Sequence, residues 1–315
     1  MVGRRSIERR SAAVYALAAL VLGGVAACDA PDRSAERRLT LGDALLEAMT
    51  PDTVRTRSVH PGVTYHYVWA AEGPWAIHLV AADLGQCEVG FSVLRPAARR
   101  SGGEGRATTS RMVFESDEPI LAAVNADFFT PEGATVGTEV VDGRVTASAS
   151  RPTFAWHPDR GPWMGLAEAG ADGVDVGWRV DATGDGDTEA VGGFPDLIDS
   201  GAPVGDLEVR ARPTFAAARH PRTAVGYDSA GDVLWLVVVD GRQLPHSAGM
   251  TLPELARLFG YLGADEALNL DGGGSSAMVI DGRPVNRPSD PTGERAVANA
   301  LALVRDGSFC EVGGR

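Results

Sequence analysis

The chain has 315 residues, a formal net charge of -13, and a composition of 44% hydrophobic and 23% charged residues, which is typical of a globular protein with a full core. All 29 basic residues are arginines, which excludes chemistry that needs a deprotonatable lysine, such as Schiff-base catalysis or a P-loop. The acidic balance argues against nucleic acid as the main partner, because phosphate binding favours a basic surface.

The N-terminus has the pattern of an export signal. Four arginines within the first ten residues precede an apolar run at 12–25, which is too short for a membrane-spanning helix but typical of a signal peptide. The run ends in VAAC (25–28), which resembles a bacterial lipobox and implies cleavage before Cys28 and lipidation of that cysteine. The alternative is a conventional cleavage nearby that leaves an incidental cysteine. We predict a lipoprotein signal peptide at 1–27 and a lipidated cysteine with a tether at 28–54, so that the protein is exported and lipid-anchored to the bacterial cell envelope.

Two further cysteines, Cys87 and Cys310, remain in the mature chain. In an exported protein they can form a disulfide that ties the C-terminal tail to an early strand. The alternative is that each is a buried thiol.

The mature chain is predicted to consist mostly of strands. After a short helix at 41–50, alternation of apolar and polar residues predicts half-buried strands at 63–69 and 75–82. The glycine-rich, charged segment 98–109 is predicted to be an exposed loop. Further strands are predicted at 91–94, 119–125, 233–239, 267–270, 277–280 and 298–304. The segment 233–239 (VLWLVVV) is the most apolar of these and is expected at the centre of a sheet.

Turn and capping signals separate these elements. Asp-Gly pairs at 142–143, 240–241 and 281–282 predict hairpin turns. Thr251 and Glu254 have the spacing of a capping box, which begins a helix at 252–262. The predicted fold is α+β, with a mixed, largely antiparallel β-sheet, a few helices and a single catalytic domain at 55–312.

The strongest chemical signal is the stretch 269–276 (NLDGGGSS). Three glycines after a buried strand allow backbone N–H groups to approach an anion closely, and the two serines add hydroxyl donors. Asp271 would lie at the strand end and face whatever the loop holds. The alternative is a tight turn with an Asx cap.

Six ordered segments in the C-terminal half form a larger pattern. They are RTAVGYD (222–228), VVDGRQ (238–243), GMTLPELARLF (249–259), ALNLDGGGSSAMVIDG (267–282), VNRPSD (285–290) and ERAVANAL (294–301). Looser matches are AAVNADFF (122–129), VDGRV (141–145) and GGFPDLI (192–198). Together they resemble the phosphodiester glycosidase family over roughly 120–304. The resemblance implies a hydrolase that cuts a sugar from a phosphodiester, releases free sugar and a phosphomonoester, and requires no cofactor.

Carboxylates within these segments are the catalytic candidates. Cleavage at an anomeric carbon uses carboxylates beside an oxocarbenium-like centre, and a phosphate leaving group lessens the need for a general acid. Asp271 is the predicted nucleophile or base, with Glu254 and Asp240 as further catalytic candidates. The alternatives are a capping role for Glu254 and a hairpin turn at Asp240. Asp127 stands where many relatives carry glycine, which weakens a catalytic role for it.

Arginines in three of the segments are expected to converge on the substrate. A guanidinium grips two phosphate oxygens in a fork, although each arginine could instead form a structural salt bridge. Among the histidines, His246 is the one placed to assist. The predicted substrate-binding residues are Asn125, Arg222, Thr223, Arg242, Asn269, Gly272, Gly273, Gly274, Ser275, Ser276 and Arg295.

The acidic segment 181–192 (DATGDGDTEAVG) has part of the spacing of an EF-hand loop. Asp181, Asp185 and Glu189 take positions 1, 5 and 9, but the twelfth position is a glycine rather than the bidentate glutamate. A Ca²⁺ site is one interpretation, and a solvated acidic hairpin is the other.

The predicted partners are a sugar-phosphate or glycan substrate and a membrane, reached through the N-terminal lipid, with no nucleic acid. Two rival functions stay open. One is a glycosidase acting on envelope polysaccharide, and the other is a non-catalytic glycan-binding lipoprotein.

Overall fold

The computed structural model describes residues 39–306, except for 87, 101, 103, 104, 182 and 231. The predicted signal peptide, the lipidation of Cys28 and the Cys87–Cys310 disulfide fall outside these residues and stay predictions. No helix in the described part is long and apolar enough to cross a membrane.

Strands make up most of the described chain. The first eleven are β1 (Thr53–His60), β2 (Val63–Ala70), β3 (Trp75–Asp83), β4 (Val89–Leu94), β5 (Ile120–Asn125), β6 (Glu139–Val141), β7 (Arg144–Ala147), β8 (Pro152–His157), β9 (Gly161–Leu166), β10 (Glu168–Gly170) and β11 (Gly173–Asp175). The remainder are β12 (Arg179–Asp181), β13 (Glu189–Gly192), β14 (Asp196–Asp199), β15 (Ala202–Pro203), β16 (Arg222–Asp228), β17 (Val233–Val239), β18 (Glu266–Asn269), β19 (Met278–Ile280), β20 (Arg283–Pro284) and β21 (Ala300–Arg305). The α-helices are α1 (Asp43–Met49), α2 (Ala97–Arg100), α3 (Thr109–Phe114), α4 (Pro213–Ala216) and α5 (Leu252–Leu262).

These strands form four sheets. The largest has the order β1-β2-β3-β17-β16-β18-β14-β15, and the others are β20-β19-β5-β21-β4, β7-β6-β13-β8-β9 and β10-β11-β12. Every strand pairing in the described part is antiparallel. The predicted single domain with few helices and largely antiparallel strands is confirmed. The fold is nevertheless closer to all-β than to the predicted α+β, because α5 is the one described α-helix longer than seven residues.

The core is arranged in layers around the large sheet. On β17, Val233, Trp235, Val237 and Val239 face the apolar cluster that contains the buried residues of α1 and α5. The intervening residues of the same strand face a second apolar cluster, which includes residues of β4, β5 and β21. Side chains alternate between the two faces of a strand, so a strand covered on both faces is apolar throughout. The predicted central position of 233–239 is confirmed.

The local signals of the sequence account for most element boundaries. Helix α5 begins with the predicted capping box of Thr251 and Glu254 and ends at Gly263, whose φ is 79°. Hairpin turns form at 142–143 and 281–282, where both Asp-Gly pairs have positive φ. The segment 98–109 is not entirely a loop, because α2 overlaps its start and α3 overlaps its end.

The predicted helix at 41–50 is confirmed as α1. Leu45 and Met49 of this helix are buried in the core beside α5. The core therefore includes part of the segment that the sequence assigned to a tether at 28–54.

Candidate functional site

The segment after β18 forms a loop whose backbone is held by hydrogen bonds to neighbouring residues. Asp271 follows the buried Leu270, and residues Gly273–Ser275 form one turn of 3₁₀ helix. The Asn125 side-chain amide donates to the Asp271 carbonyl oxygen at 2.6 Å, and the Asp271 N–H donates to the carbonyl oxygen of Ala126 at 2.9 Å. Bonds from β5 and the residue after it thus fix the backbone of the carboxylate-bearing residue.

Each of the three glycines is required by a close neighbour or by φ. A Cβ atom on Gly272 would meet the Pro221 carbonyl oxygen at 2.8 Å, and one on Gly274 would collide with the guanidinium of Arg295. Gly273 has a φ of 63°, which favours glycine. The GGG triplet is therefore explained by close packing and backbone conformation.

The loop forms one wall of a cavity of about 330 Å³. Its lining residues are Phe128, Thr214, Phe215, His220, Arg222, Arg242, Asp271, Gly272, Gly273, Gly274 and Arg295. Three strands that are adjacent in the large sheet bring these residues together, since β16 begins at Arg222, Arg242 follows the end of β17, and β18 leads into Asp271. The residues predicted from three separate segments therefore meet at one edge of one sheet.

Asp271 is the one carboxylate among the described lining residues. Burial raises its pKa to about 6, although hydrogen bonds from Ser275 and the Gly272 N–H and the nearby charge of Arg295 act in the opposite direction. The Gly272 N–H donates to Asp271 Oδ1 at 3.0 Å. A carboxyl group with this pKa can exist in either protonation state near neutral pH, as acid–base and nucleophilic catalysis require.

Arg222 is the buried cation of the cavity, with 2% of its surface exposed. Its Nε donates to the Met250 carbonyl oxygen at 2.8 Å, and its Nη2 donates to those of Phe215 and Ala218 at 2.7 and 3.1 Å. Burial, with a contribution from Arg242, lowers the pKa of Arg222 to about 10, so the guanidinium stays charged at neutral pH. No carboxylate in the described part forms a salt bridge with it, and a positive charge held in this way favours an anionic ligand.

Arg242 provides a second cation beside the loop. Its backbone has a φ of 60°, and its guanidinium lies next to Gly273. His220 orients this guanidinium: its Nε2 donates to the Thr214 carbonyl oxygen at 2.8 Å, which leaves Nδ1 to accept from Arg242 at 3.2 Å. Burial, together with the charges of Arg222 and Arg242, lowers the pKa of His220 and favours this neutral form.

Arg295 also lines the cavity, but its charge is already matched. Its Nε and Nη2 donate to the two carboxylate oxygens of Asp290 at 2.9 and 3.1 Å. Its Nη1 lies 3.5 Å from the Ser275 hydroxyl. Arg295 therefore positions the loop and is less available to a substrate anion than Arg222 or Arg242.

Five predicted substrate-binding residues do not line the cavity: Asn125, Thr223, Asn269, Ser275 and Ser276. Asn125 Oδ1 accepts from the Thr223 hydroxyl at 2.8 Å and from the Ala277 N–H at 3.1 Å. Asn269 donates to the Phe194 carbonyl oxygen at 2.7 Å, and Ser276 is buried without lining the cavity. The side chains of Asn125, Thr223 and Asn269 bond to the protein itself and so hold the backbone of the site. The Ser275 hydroxyl bonds to Asp271, whereas the Ser276 hydroxyl is buried with no hydrogen-bond partner among the described residues.

The loop N–H groups are also mostly committed, contrary to the expectation of a backbone anion cradle. The N–H groups of Gly272, Gly273, Ser275 and Ser276 donate to Asp271 Oδ1 and to the carbonyl oxygens of Pro221, Gly272 and Gly273, at 2.9–3.3 Å. The guanidinium groups, rather than these amides, are therefore the donors that face a ligand.

Glu254 does not reach the cavity. It closes the capping box of α5 and forms a salt bridge with Arg219 at 2.6 Å. Both carboxylate oxygens are used in these contacts, because Oε2 accepts from the Thr251 N–H at 2.9 Å and Oε1 from Arg219. The capping alternative is the one that the structure supports.

Asp240 faces a different cavity and does not form a hairpin turn. Its Oδ2 accepts from His246 Nε2 at 2.8 Å and lies 3.4 Å from His78 Nε2, while Oδ1 accepts from the Arg287 N–H at 2.9 Å. Burial acts to raise the pKa of Asp240, but these hydrogen bonds and the charge of His78 outweigh it, and the net pKa is lowered. His246 likewise belongs to the second cavity, not to the one at Asp271.

Four residues that line the Asp271 cavity were not predicted from the sequence: Phe128, Thr214, Phe215 and His220. Phe128 and Phe215 form an edge-to-face pair with ring centroids 6.3 Å apart, and His220 orients Arg242. Phe128 lies in the NADFF segment, and His220 is two residues before Arg222, so proximity to matched segments was the available signal. Phe215 lies outside the matched segments.

The three calcium candidates do not converge. The Asp181 side chain accepts from Thr183, the Asp185 side chain accepts from Thr188, and Glu189 points inward to accept from the N–H groups of Val93 and Asp142 at 2.7 Å. Within the described residues no group of three or more His, Cys, Asp or Glu side chains could hold a metal ion.

The fold and the cavity together define a class of protein: an antiparallel β protein in which one carboxylate faces an arginine-lined pocket. Comparison with known sequences gives the particular family. The sequence model of the phosphodiester glycosidase family matches residues 119–304, more than half of the chain, and the chain belongs to that family. The family supports a hydrolase that acts on a glycan phosphodiester.

Curated relatives match short segments of this chain. The SPbeta prophage-derived protein YomE of Bacillus subtilis is 41% identical over 85 residues, which are 27% of this chain and 13% of YomE. N-acetylglucosamine-1-phosphodiester alpha-N-acetylglucosaminidase of Mus musculus is 37% identical over 76 residues, or 24% of this chain and 14% of the relative. The Bos taurus protein of the same name is 41% identical over 69 residues, 22% of this chain and 12% of the relative. The matches thus span less than a sixth of each relative.

Solved structures share the fold over most of the chain. A hypothetical protein from Synechocystis has a TM-score of 0.61 at 18% identity and covers 80% of this chain and 64% of that one. A Burkholderia pseudomallei K96243 protein described as exported gives a TM-score of 0.56 at 22% identity, covering 74% of each chain. The zebrafish N-acetylglucosamine-1-phosphodiester alpha-N-acetylglucosaminidase catalytic domain, auto-inhibited by its pro-peptide, gives 0.55 at 20% identity, covering 80% of this chain and 88% of that one.

Proposed function

We propose that this protein hydrolyses a sugar-1-phosphodiester and releases free sugar and a phosphomonoester. The observation that carries the proposal is that the buried guanidinium of Arg222, which forms no salt bridge with a described carboxylate, and the Asp271 carboxyl line the same small cavity. A sugar-1-phosphodiester has one negative charge beside an electrophilic anomeric carbon. In this cavity the Arg222 guanidinium would bind the charge, and the Asp271 carboxylate would act on the carbon.

The phosphate would bind to Arg222 and Arg242. Both guanidinium groups line the cavity, and neither forms a salt bridge with a described carboxylate. Charge-assisted hydrogen bonds to phosphate oxygens are about twice as strong as neutral ones, which offsets the loss of hydration. Loop 272–276 would set the floor of the site through its shape, since most of its amides are engaged elsewhere.

The Asp271 carboxylate would act at the anomeric carbon, either as the nucleophile or as the base that deprotonates water. In both routes the bond between the anomeric carbon and the phosphate oxygen breaks, and that oxygen leaves with the bonding electron pair. As base, Asp271 takes a proton from the water that bonds to the anomeric carbon; as nucleophile, it forms a glycosyl ester that water then hydrolyses, which frees the sugar and the carboxylate. Phosphate is a good leaving group, so a second carboxyl acting as general acid is not needed. A cavity with a single lining carboxylate fits this requirement.

The sugar or its aglycone would lie against the aromatic wall. Phe128 and Phe215 are paired edge to face, and the Phe215 ring also lies under the Arg222 guanidinium at 5.4 Å. Apolar ring faces complement the C–H faces of a sugar, while the cations select the charged end. The wall and the cations together would orient the substrate.

The test compares two carboxylate-to-amide variants of the purified full-length protein on a panel of glycosyl-phosphate diesters. Free sugar and phosphomonoester are measured together. We expect Asp271→Asn to lower kcat by at least about 10³-fold, and Glu254→Gln to keep near-wild-type kcat because Glu254 lies outside the cavity. Full activity of Asp271→Asn contradicts the assignment. Substrate binding without turnover by the wild type favours the non-catalytic glycan-binding alternative, and turnover of neutral polysaccharide alone favours the envelope glycosidase.

We also propose that the protein is exported and held on the cell envelope by a lipid on Cys28. The support is the N-terminal sequence pattern and the exported description of the Burkholderia relative in fold. Two or more acyl chains give stable anchoring. Cys28→Ser should move the protein from the membrane fraction to the soluble fraction and abolish labelling by a fatty acid. Unchanged labelling and fractionation would contradict the proposal.

A further inference from the structure

A second cavity, of about 480 Å³, opens beside Asp240. Its walls come from β1, β2, β3, the two residues Asp240 and His246 after β17, and the segment 285–287. The lining residues of this cavity and of the Asp271 cavity do not overlap. The proposed glycosidase reaction leaves this cavity without a role.

The floor of the second cavity is a buried polar chain. The Tyr65 hydroxyl is 2.8 Å from His78 Nδ1, His78 Nε2 is 3.4 Å from Asp240 Oδ2, and His246 Nε2 is 2.8 Å from the same oxygen. Asp240 and His78 are 1% and 3% exposed. One buried carboxylate thus holds two imidazoles in place at the base of an open cavity, and such pre-positioned polar groups mark a ligand site more than a packing feature.

The remaining oxygen of Asp240 is also saturated. Oδ1 accepts from the Asn286 side-chain amide at 3.1 Å and from the Arg287 N–H at 2.9 Å. With both oxygens engaged, the carboxylate is not available as a ligand for a cation. The groups left to face a ligand are therefore donors and cations.

Three arginines surround the opening. Arg57 forms a salt bridge with Asp281 at 3.1 Å, whereas Arg55 and Arg287 form none with a described carboxylate. Asp240 is the one acidic residue among the described lining residues, against three arginines and two histidines. In a chain with a net charge of -13, this local positive excess would attract an anion.

Two tyrosines give the cavity an aromatic side. Tyr65 and Tyr67 are two residues apart on β2 and so point to the same face of the strand. The Tyr67 ring lies 5.2 Å from that of His78, and the Arg57 guanidinium lies 5.3 Å from the centre of the Tyr65 ring. A bare inorganic ion would leave these ring faces unused, while an organic anion would contact them.

We propose that this second cavity binds an organic oxyanion, a phosphate or carboxylate group carried on a small organic body. The oxyanion lies between Arg55 and Arg287, above the imidazole of His246. The organic body packs against Tyr65 and Tyr67. This inference does not depend on the glycosidase activity, because its site and its test are separate from turnover.

The test uses the histidines as local reporters in the intact protein. Full-length protein labelled with ¹⁵N-histidine is titrated with glucose 1-phosphate, inorganic phosphate, citrate and neutral glucose, and the imidazole signals are assigned by single substitutions. His78 and His246 report on the second cavity, and His220 reports on the Asp271 cavity. We expect His78 and His246 to shift together and saturably with glucose 1-phosphate or citrate, and not with glucose.

Matched arginine variants decide the outcome. Arg55→Gln with Arg287→Gln should raise the titration midpoint of the His78 and His246 signals at least about tenfold, since each removes a charge-assisted contact. Arg210→Gln with Arg305→Gln, two exposed arginines that line neither cavity, should leave it unchanged. Three results would overturn the proposal. The first is that only the His220 signal shifts, and the second is that neutral glucose gives an equal response. The third is that Arg55→Gln with Arg287→Gln leaves the titration midpoint unchanged. Equal midpoints for inorganic phosphate and glucose 1-phosphate would overturn the role of the tyrosines.

Discussion

Removing the charge of Asp271 should stabilise the protein while it abolishes turnover. In the folded state burial raises the pKa of this carboxyl from 3.8 to about 6. The folded state therefore binds the proton more tightly than the unfolded state does. As pH rises between these two pKa values, the contribution of Asp271 to the free energy of unfolding falls, and the fall is complete above about pH 6.

The size of this effect follows from the pKa difference. A shift of about two units corresponds to about 3 kcal/mol at 1.36 kcal/mol per unit. An asparagine at this position has nearly the same shape and carries no charge at any pH. Asp271→Asn should therefore be more stable than the wild type by up to about 3 kcal/mol at pH 8, and about equal to it at pH 4.

The assay is urea unfolding of both proteins at pH 4, 6 and 8. Burial also raises the pKa values of Asp127, Glu189 and Asp196, but these groups titrate identically in both proteins and cancel in the difference. The prediction that burial destabilises the charged form of Asp271 would be refuted in either of two cases. The stability difference does not grow between pH 4 and pH 8, or the variant is less stable than the wild type at pH 8. This measurement needs no substrate.

Further predictions concern the same site. The wild-type kcat/KM should fall about tenfold per pH unit below about pH 6, because Asp271 must be ionised to act as nucleophile or base; a profile that rises toward acid would assign it as an acid. Glu254→Ala should lower the free energy of unfolding by about 1 kcal/mol through the lost capping box, measured by urea unfolding, and a loss near zero would contradict the cap. Arg222→Lys should lower kcat/KM at least about 100-fold, because an ammonium cannot keep the three carbonyl contacts of the guanidinium and also donate to the phosphate; near-normal activity would remove Arg222 from substrate binding. Gly274→Ala should lower both stability and activity through collision with Arg295, whereas the open helical site Gly260→Ala should not; similar behaviour of the two would contradict the packing argument.

Short-range signals predicted the elements well. The alternation in β2, the apolar run of β17 and the capping box of α5 depend on residues within a few positions of one another, and each is present in the structure. The fold is closer to all-β than to the predicted α+β because few residues are helical. The sequence contains one helical pattern with both caps, and that pattern forms the one long described α-helix, α5. The other described α-helices are four to seven residues long.

The candidate site was predicted in part. Family-like segments placed Arg222, Arg242 and Asp271 in one group, and the structure brings them around one cavity. The same reasoning grouped Asp240 with these residues, whereas Asp240 lines the second cavity; its partner His78 is 162 residues away, and nothing local indicates the contact. It also overstated the role of the loop amides, whose partners include the carbonyl oxygen of Pro221 on a neighbouring segment.

The amino-acid order alone determined where strands, turns and helix caps begin and end, because those depend on backbone preferences and contacts between near neighbours. Which polar groups face a cavity was decided only when the sheets packed. A hydrogen-bonding side chain binds whichever partner the fold brings within about 3 Å. Asp240 and Asp271 follow two buried strands of one sheet, β17 and β18, which are separated by β16. Only packing separates the carboxylate that faces the arginine pocket from the one that anchors two histidines.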